Sequence, residues 1–392
     1  MSLEEAFPLK YWRGYLTAGI FGIFTWLLME FAKGHAQVVD MIYPYVSRMI
    51  QTMLAQWSSG VDFCLWQVVA VLLGLGLLAS IVLMVVLRWN PIQWFGWVLA
   101  VASGLFLLHT GIYGMNSYAG PLAEDVRLEV VEYTMDELAE ATAYYRDQAN
   151  TLATQVNRDG SGNLVYPTFE ELAEQAADGF RELTYGEYEA VFAGSTLPVK
   201  KLGFEGLYTS MGITGVTMPL TGEAAVNPQI PVVSLPFTMC HEMCHRMCIA
   251  IERDANFGAF LACRANSSLE YRYSAYFMAY RYCYNALVSA GGSMRAQEIA
   301  AGESALLKQD LTHYREFFSK NQDAKATRLA DKANDAYIKA SGDSQGIASY
   351  GDVCDLLVSL YIEEIVLPSQ VVPEPEFDPF DKTQVDISDI AG

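Results

Sequence analysis

The sequence predicts a mainly helical membrane protein: three N-terminal transmembrane helices, followed by a helical α+β domain with a small sheet. Three observations predict it. Long apolar runs crowd the first third of the chain, and apolar residues recur at helical spacing through most of the rest. One stretch, 198–234, trades that spacing for short β-prone pieces between Gly, Thr and Pro. The 392 residues thus divide into a membrane domain over 1–118, a second domain over 119–366 and a disordered, acidic, Pro-rich tail over 367–392.

The apolar runs cover 12–32, 65–87 and 92–113. Each approaches or exceeds the ~20 residues that a helix needs to cross a ~30 Å hydrocarbon core. The second has no charge and the third carries only His109, whereas a core helix of a soluble protein is seldom apolar all round for so long. Tyr11, Trp12, Trp89, Trp94 and Tyr113 cluster at the run ends, where amphipathic rings favour the membrane interface. The first run is longer than a signal-peptide core and lacks a small-residue cleavage site, so it reads as an uncleaved anchor. Between the first two runs, VVDMIYPYVSRMIQTMLAQW has apolar residues at helical spacing and reads as a segment along the membrane surface.

Charge separates the two parts. Residues 1–120 hold five acidic residues (Glu4, Glu5, Glu30, Asp40, Asp62) and five basic ones (Lys10, Arg13, Lys33, Arg48, Arg88), so the whole net charge of −20 lies beyond them. An acidic domain of this kind argues against a nucleic-acid partner. Lys10, Arg13 and Arg88 fall on one side of the three spans and Lys33 and Arg48 on the other. That balance predicts a cytoplasmic N-terminus and an extracytoplasmic large domain.

Past the spans, MDELAEATAYYRDQANTLATQV sets Leu138, Ala141, Tyr145, Ala149 and Leu152 on one helical stripe. The following NRDGSGNLVYPTFEEL has the first half of a calcium loop, but Thr168 stands at the twelfth position, where a bidentate Glu is needed. A turn before a helix capped by Thr168 accounts for it. GLYTSMGITGVTMPL and IPVVSL read as strands, and from 236 onward the pattern is helical.

The chemistry concentrates in PFTMCHEMCHRMCIAIERDANF, residues 236–257. His241-Glu242-Met243-Cys244-His245 fits H-E-x-x-H. On a helix, residues four apart stand one turn above each other, so both imidazoles reach one zinc ion. Glu242 falls on an adjacent face, placed to take a proton from a water at the metal. A third protein ligand is expected, and Glu252, Asp254 and the more distant Glu270 are candidates. In one continuous helix Glu252 would lie about 16 Å along the axis from His241, so the chain must turn between them. Arg246–Ile251 contains neither Gly nor Pro to mark that turn.

Six of the seven cysteines lie in the second domain without the spacing of a disulfide framework, which pulls against the charge balance and points to a domain on a reducing side or an organism living without oxygen. Cys240, Cys244 and Cys248 line one helical stripe, where side chains stack along the axis rather than meeting in disulfide geometry. Small hydrophobes facing the core account for them better than a metal or iron–sulfur set.

Glu252-x-x-Ala255-Asn256 resembles the E-x-x-A-D/N helix of glutamate-type zinc peptidases, in which the glutamate binds zinc and the later Asp or Asn orients a ligating histidine. More broadly, IYPYVSRMI, GIYGMNSYAGPL, KKLGFEGLYTSMGITGVTMPLTGEAAVN, PFTMCHEMCHRMCIAIERDANFGAFLAC, YRYSAYFMAYRYCYNAL and GIASYGDVCDLL resemble, in order, a bacterial membrane-protein family called domain of unknown function 3810. The resemblance implies a zincin-like domain with His241, His245 and Glu252 as zinc ligands and Glu242 as the catalytic glutamate. Members often have Gly where this chain has Cys248. It also draws attention to a substrate cleft flanked by a sheet edge, with two candidates for its lining, Glu223 and Asn227, for which a polar turn at the strand end is the reading their sequence context favours. The Tyr273 hydroxyl is a candidate partner for a tetrahedral intermediate, against plain core packing in a chain with 23 tyrosines.

These readings converge on a membrane-anchored zinc metallopeptidase of the bacterial cell membrane, acting on a peptide or protein substrate. The alternatives are a non-catalytic, zinc-stabilised scaffold or sensor, and a cysteine-based redox or iron–sulfur protein.

Overall fold

The computed structural model describes residues 11–185, 188–341 and 353–370; of the tail read from the sequence as 367–392, Leu367–Gln370 form a helical turn instead, and 371–392 lie outside the described residues. Among the described residues three helices are long and apolar enough to cross a membrane: α1 (Arg13–Gly34), α3 (Leu65–Val86) and α4 (Pro91–Ile112). The segment between the first two is a helix, α2 (Ala36–Ser58). Asn90 caps α4 by accepting from Ile92 N and Gln93 N, and Pro91 occupies the first turn, where no N–H is required. α1 packs on α4 where a Cβ on Gly14 would lie 2.6 Å from Trp97 N, so the backbones approach closely only through glycine. α3 is apolar on every face and its most apolar stretch buries nothing within the chain, as expected of a helix solvated by lipid.

α2 ties the spans to the second domain. Tyr43 donates to Thr110 O (3.1 Å) and Ser47 to Ile112 O (2.7 Å), satisfying carbonyls at the α4 C-terminus that have no partner within the helix. The α3 N-terminus is held from the other side, where Glu223 accepts from Leu65 N and Trp66 N, both at 2.8 Å. A carboxylate at that end satisfies two orphan donors and complements the helix dipole. Lys200 neutralises it at 2.7 Å while donating to Ser58 O and Phe63 O. Glu223, expected near a substrate cleft, is therefore an anchor for a membrane helix. Glu223→Ala leaves the largely buried Lys200 with two carbonyls but no counter-charge, and the expected cost is about 3 kcal/mol. Thermal unfolding in detergent measures it, with an unchanged midpoint ruling out this anchoring role.

The second domain begins with α5 (Met135–Ala153) and α6 (Phe169–Tyr185), each entered through a reciprocal Thr–Glu cap: Thr134 with Glu137, and Thr168 with Glu171. The stripe Leu138, Ala141, Tyr145, Ala149 and Leu152 is buried. In the loop before α6 the Asp159 carboxylate accepts from Ser161 N, Asn163 N and Asn163 Nδ2, forming a local turn.

A three-stranded sheet follows, with β1 (Lys200–Lys201) parallel to the central β3 (Glu223–Val226) and β2 (Gly215–Met218) antiparallel to β3. GITGVTMPLTGEAAVN, read from the sequence as strand-forming, folds as two antiparallel strands in register from Gly215↔Val226 to Met218↔Glu223. Two other strand expectations are corrected. GLYTSM lies in helix α7 (Glu205–Met211), ended by Gly212 in the left-handed region, and the VVS of IPVVSL is a 3-10 turn leading into the next helix. Pro236 in the first turn of that helix carries no N–H and presets a helical φ, so the β-branched pair before it serves as a helix entry.

That helix, α8 (Leu235–Arg246), packs with α9 (Glu252–Ala265) and α10 (Leu269–Ser289) against α5 and α6. Tyr271, Tyr273, Phe277 and Tyr280 of α10 are wholly buried and centre the core. α11 (Ser293–Ala301), α12 (Ala305–Asn321), α13 (Ala324–Ser341) and α14 (Val353–Tyr361) follow, and short helical turns at Gly114–Tyr118, Leu122–Asp125, Glu189–Phe192 and after Tyr361 complete the helical elements of the described residues. All seven cysteines are free and buried, and Cys240 and Cys244 face the core as small hydrophobes do.

Candidate metal centre

α8 carries His241 and His245 one turn apart on a single face, and α9 brings Glu252 back to them. His241 Nε2 and His245 Nε2 lie 3.0 Å apart. Glu252 Oε2 lies 3.2 Å from the first and 3.4 Å from the second. A tetrahedral ion about 2.0–2.1 Å from each of three such atoms would set them about 3.3–3.4 Å apart. The spacing therefore fits a metal ion, and Glu252 Oε2 is a buried acceptor that makes no well-aligned hydrogen bond.

The turn that places Glu252 occurs at Cys248, which adopts φ +71°. Cys248 N donates to His245 O (2.9 Å) and Ile249 N to Cys244 O (3.1 Å). This is the paired bonding of a Schellman helix end, in which a left-handed residue, usually Gly, follows the cap. A cysteine here bears strain of about 1–2 kcal/mol. Its thiol donates to Ser47 Oγ at 3.2 Å, and Arg48 Nε donates to Met247 O at 3.1 Å, so two residues of α2 hold the turn. Cys248→Gly is expected to be more stable than Cys248→Ala by about 0.5–1 kcal/mol, because both lose the thiol and only Ala keeps a Cβ in the left-handed region. Comparing their melting points tests it; an Ala protein that melts at or above the Gly protein would place the strain elsewhere.

The ring orientations are set locally. His245 Nδ1 lies 2.9 Å from Ile249 O, which makes that nitrogen an N–H donor and leaves Nε2 as the nitrogen whose lone pair a metal ion would take. With no cation present, burial lowers the His245 pKa, but the Glu252 carboxylate outweighs it and the net rise is to about 9. Burial likewise raises Glu252, and the two imidazoles outweigh it to hold the carboxyl well below its usual range.

Glu242 faces the same cleft from the next position on α8. Thr217 Oγ1, on β2, donates to Glu242 Oε2 at 2.7 Å and lies 2.9 Å from Glu242 O. Gly215 leaves room for the other oxygen: a Cβ there would lie 2.7 Å from Glu242 Cδ. Burial raises the Glu242 pKa, against lowering by both histidines and Thr217. Thr217 and Gly215 were not singled out in the sequence; a Gly and a Thr alternating on a strand beside the motif were the available signal.

The other candidates lie elsewhere. Asp254 accepts from Leu122 N (3.0 Å) and Arg253 Nε (2.9 Å), and Glu270 accepts from Ser268 Oγ (2.6 Å); neither joins the triad. Asn256 accepts from the Tyr282 hydroxyl at 3.2 Å, while His241 Nδ1 has no hydrogen-bond partner, so the expected Asn–His contact is not formed. Asn227 bonds Thr209 and Gln229 N at the end of β3. Tyr273 donates to Asp310, which also pairs with Arg158 at 2.7 Å, and its hydroxyl belongs to that buried cluster rather than to the cleft.

The triad and Glu242 line a cleft of ≈ 580 Å³. One wall is β2, an edge strand; another is α13 through Ala330 and Asp331; a third is Tyr113 and Ser117, just beyond the last residue of α4. The arrangement joins three ligand atoms, a buried carboxylate and an open strand edge in one space.

The family model described as "Protein of unknown function (DUF3810)" matches residues 39–358, most of the chain. No curated protein and no solved structure matches it.

Proposed function

The chain belongs to the DUF3810 family, whose function is undescribed, and from that premise we propose that it is a membrane-anchored zinc metallopeptidase with a zincin-like catalytic domain. The observation that carries the reading is the convergence of His241, His245 and Glu252 beside a buried glutamate in an open cleft. When bound there, zinc supplies Lewis acidity, which polarises a carbonyl and lowers the pKa of water.

The chain's own residues supply the rest. His245 Nε2 is presented by the Nδ1 contact to Ile249 O, and Glu252 supplies the negative charge that two neutral imidazoles lack. Glu242 is the general base: Thr217 holds its Oε2, leaving Oε1 to take the proton of the attacking water and return it to the leaving amine. Burial that lifts its pKa brings it closer to the ambient pH, where general bases work best. β2 gives an extended peptide a strand edge to pair with. A non-catalytic scaffold would be served by a closed site, whereas these ligands line a cleft. On the Lys/Arg balance the domain is extracytoplasmic.

The full-length protein in detergent is expected to carry about one zinc per chain and to cleave members of a peptide library, with chelation abolishing cleavage and added zinc restoring it. A protein that binds zinc tightly yet cleaves nothing above a Glu242→Gln blank would favour the scaffold.

A further inference from the structure

We infer that the polypeptide cut in this cleft is itself membrane-anchored and is cut within a few residues of the bilayer surface. The inference rests on the peptidase reading and adds a substrate class to it.

The cleft shares a wall with the membrane boundary. Tyr113 and Ser117 line it, and α4 ends at Ile112, so the distance in sequence from the apolar span to the cleft is a single residue. Tyr113 is also the kind of aromatic that occupies the interface at a span's end.

The cleft is fixed at that height. The turn that positions Glu252 is held by Ser47 and Arg48 of α2, and Ser47 also donates to Ile112 O. β3, the neighbour of the cleft strand β2, grips the α3 N-terminus through Glu223. The span α3 and the helix α2 are thus hydrogen-bonded to the elements that build the site, and the span α4 is bonded to α2.

α2 reports where the surface lies. It is joined at both ends to spans, and it exposes Met41, Ile42, Tyr45, Met49, Met53 and Trp57, each more than half exposed, opposite the face buried on the domain. A helix with such a face lies in the interface plane with its apolar side in the headgroup–acyl boundary. The occupant is lipid, by continuity with the spans at either end.

A peptide along β2 advances about 3.3 Å per residue, so the four residues of that strand engage about 13 Å of substrate. A chain emerging from the bilayer beside Tyr113 would reach the strand within a few residues. Tethering raises its effective concentration at the cleft, and the gain falls as the tether lengthens past the span.

The test uses full-length protein in lipid nanodiscs. One randomised peptide stretch is offered free, or fused to an apolar span of about 20 residues through spacers of about 3, 10 and 30 residues; the Glu242→Gln protein is the blank. Short-spacer substrates are expected to be cut at least about tenfold faster than free peptide, with the rate falling as the spacer lengthens. Equal rates for free and tethered peptide, or equal rates at every spacer length, would overturn the inference and leave the peptidase reading standing. Wild-type protein that cuts none of the substrates above the blank would remove the peptidase reading, and the inference with it.

Discussion

The Glu242→Gln protein is expected to bind zinc at the wild-type stoichiometry and to lose roughly 10²–10⁴ of its peptide hydrolysis. Glutamine keeps the shape of the side chain in a place with no slack: Gly215 lies against one oxygen, and Thr217 donates to the other at 2.7 Å. The substitution keeps the shape and one acceptor for Thr217 while removing the negative charge and the capacity to take a proton. Because Glu242 is not among the three atoms that converge, zinc binding is a separate readout. Metal content and initial rates on the same preparation test the two halves. Hydrolysis surviving in the Gln protein would assign the proton transfer to another group, whereas loss of zinc with the activity would show that Glu242 shapes the ligand set.

Glu252→Ala is expected to have the larger effect on the metal. Changing a residue that only orients a ligand typically costs 10–100-fold in affinity. Removing a ligand takes away a bond and the only negative charge among three donors, so the expected loss exceeds about 100-fold. The same change leaves two imidazole nitrogens 3.0 Å apart with nothing to draw them together. Competition with a zinc indicator measures the affinity, with Asp254→Asn as the control: Asp254 is bonded to Leu122 N and Arg253 and stands outside the triad. If Asp254→Asn weakened zinc as much as Glu252→Ala, the ligand assignment would be wrong.

The spans, the two histidines and Glu242 were legible because each depends on local pattern. Composition over about 20 residues decides whether a segment prefers lipid, and a four-residue separation decides which side chains share a helix face. The third member of the triad was legible through the resemblance and not through local pattern. RMCIAI has no Gly or Pro, yet the chain reverses there because Cys248 takes a conformation that glycine prefers. The resemblance brought Glu252 forward, but Cys248, standing where members often have Gly, left the turn unmarked in this sequence. What holds a cysteine in that conformation is distant in sequence: Ser47 and Arg48 of α2.

The polar residues at the sheet separate in the same manner. Glu223 and Asn227 looked alike from the sequence, as polar groups on a β-prone piece. Their roles follow from partners: Glu223 meets the N-terminus of a membrane helix about 160 residues earlier, and Asn227 closes the end of its own strand. Tyr273 shows the limit again, since nothing in its neighbourhood in sequence announces Asp310 or Arg158.

By itself the sequence determined a helical membrane protein with three apolar spans, an acidic second domain and two histidines that share one helix face with a glutamate beside them. Periodicity and hydropathy carry that information, because they act between residues within one helix. The tertiary structure alone decided how the chain turns to bring Glu252 back to the histidines, what holds Glu242 in place, and that the cleft opens beside the end of a span. Those depend on contacts between distant segments, where packing and buried hydrogen bonds select one partner among many of similar local character.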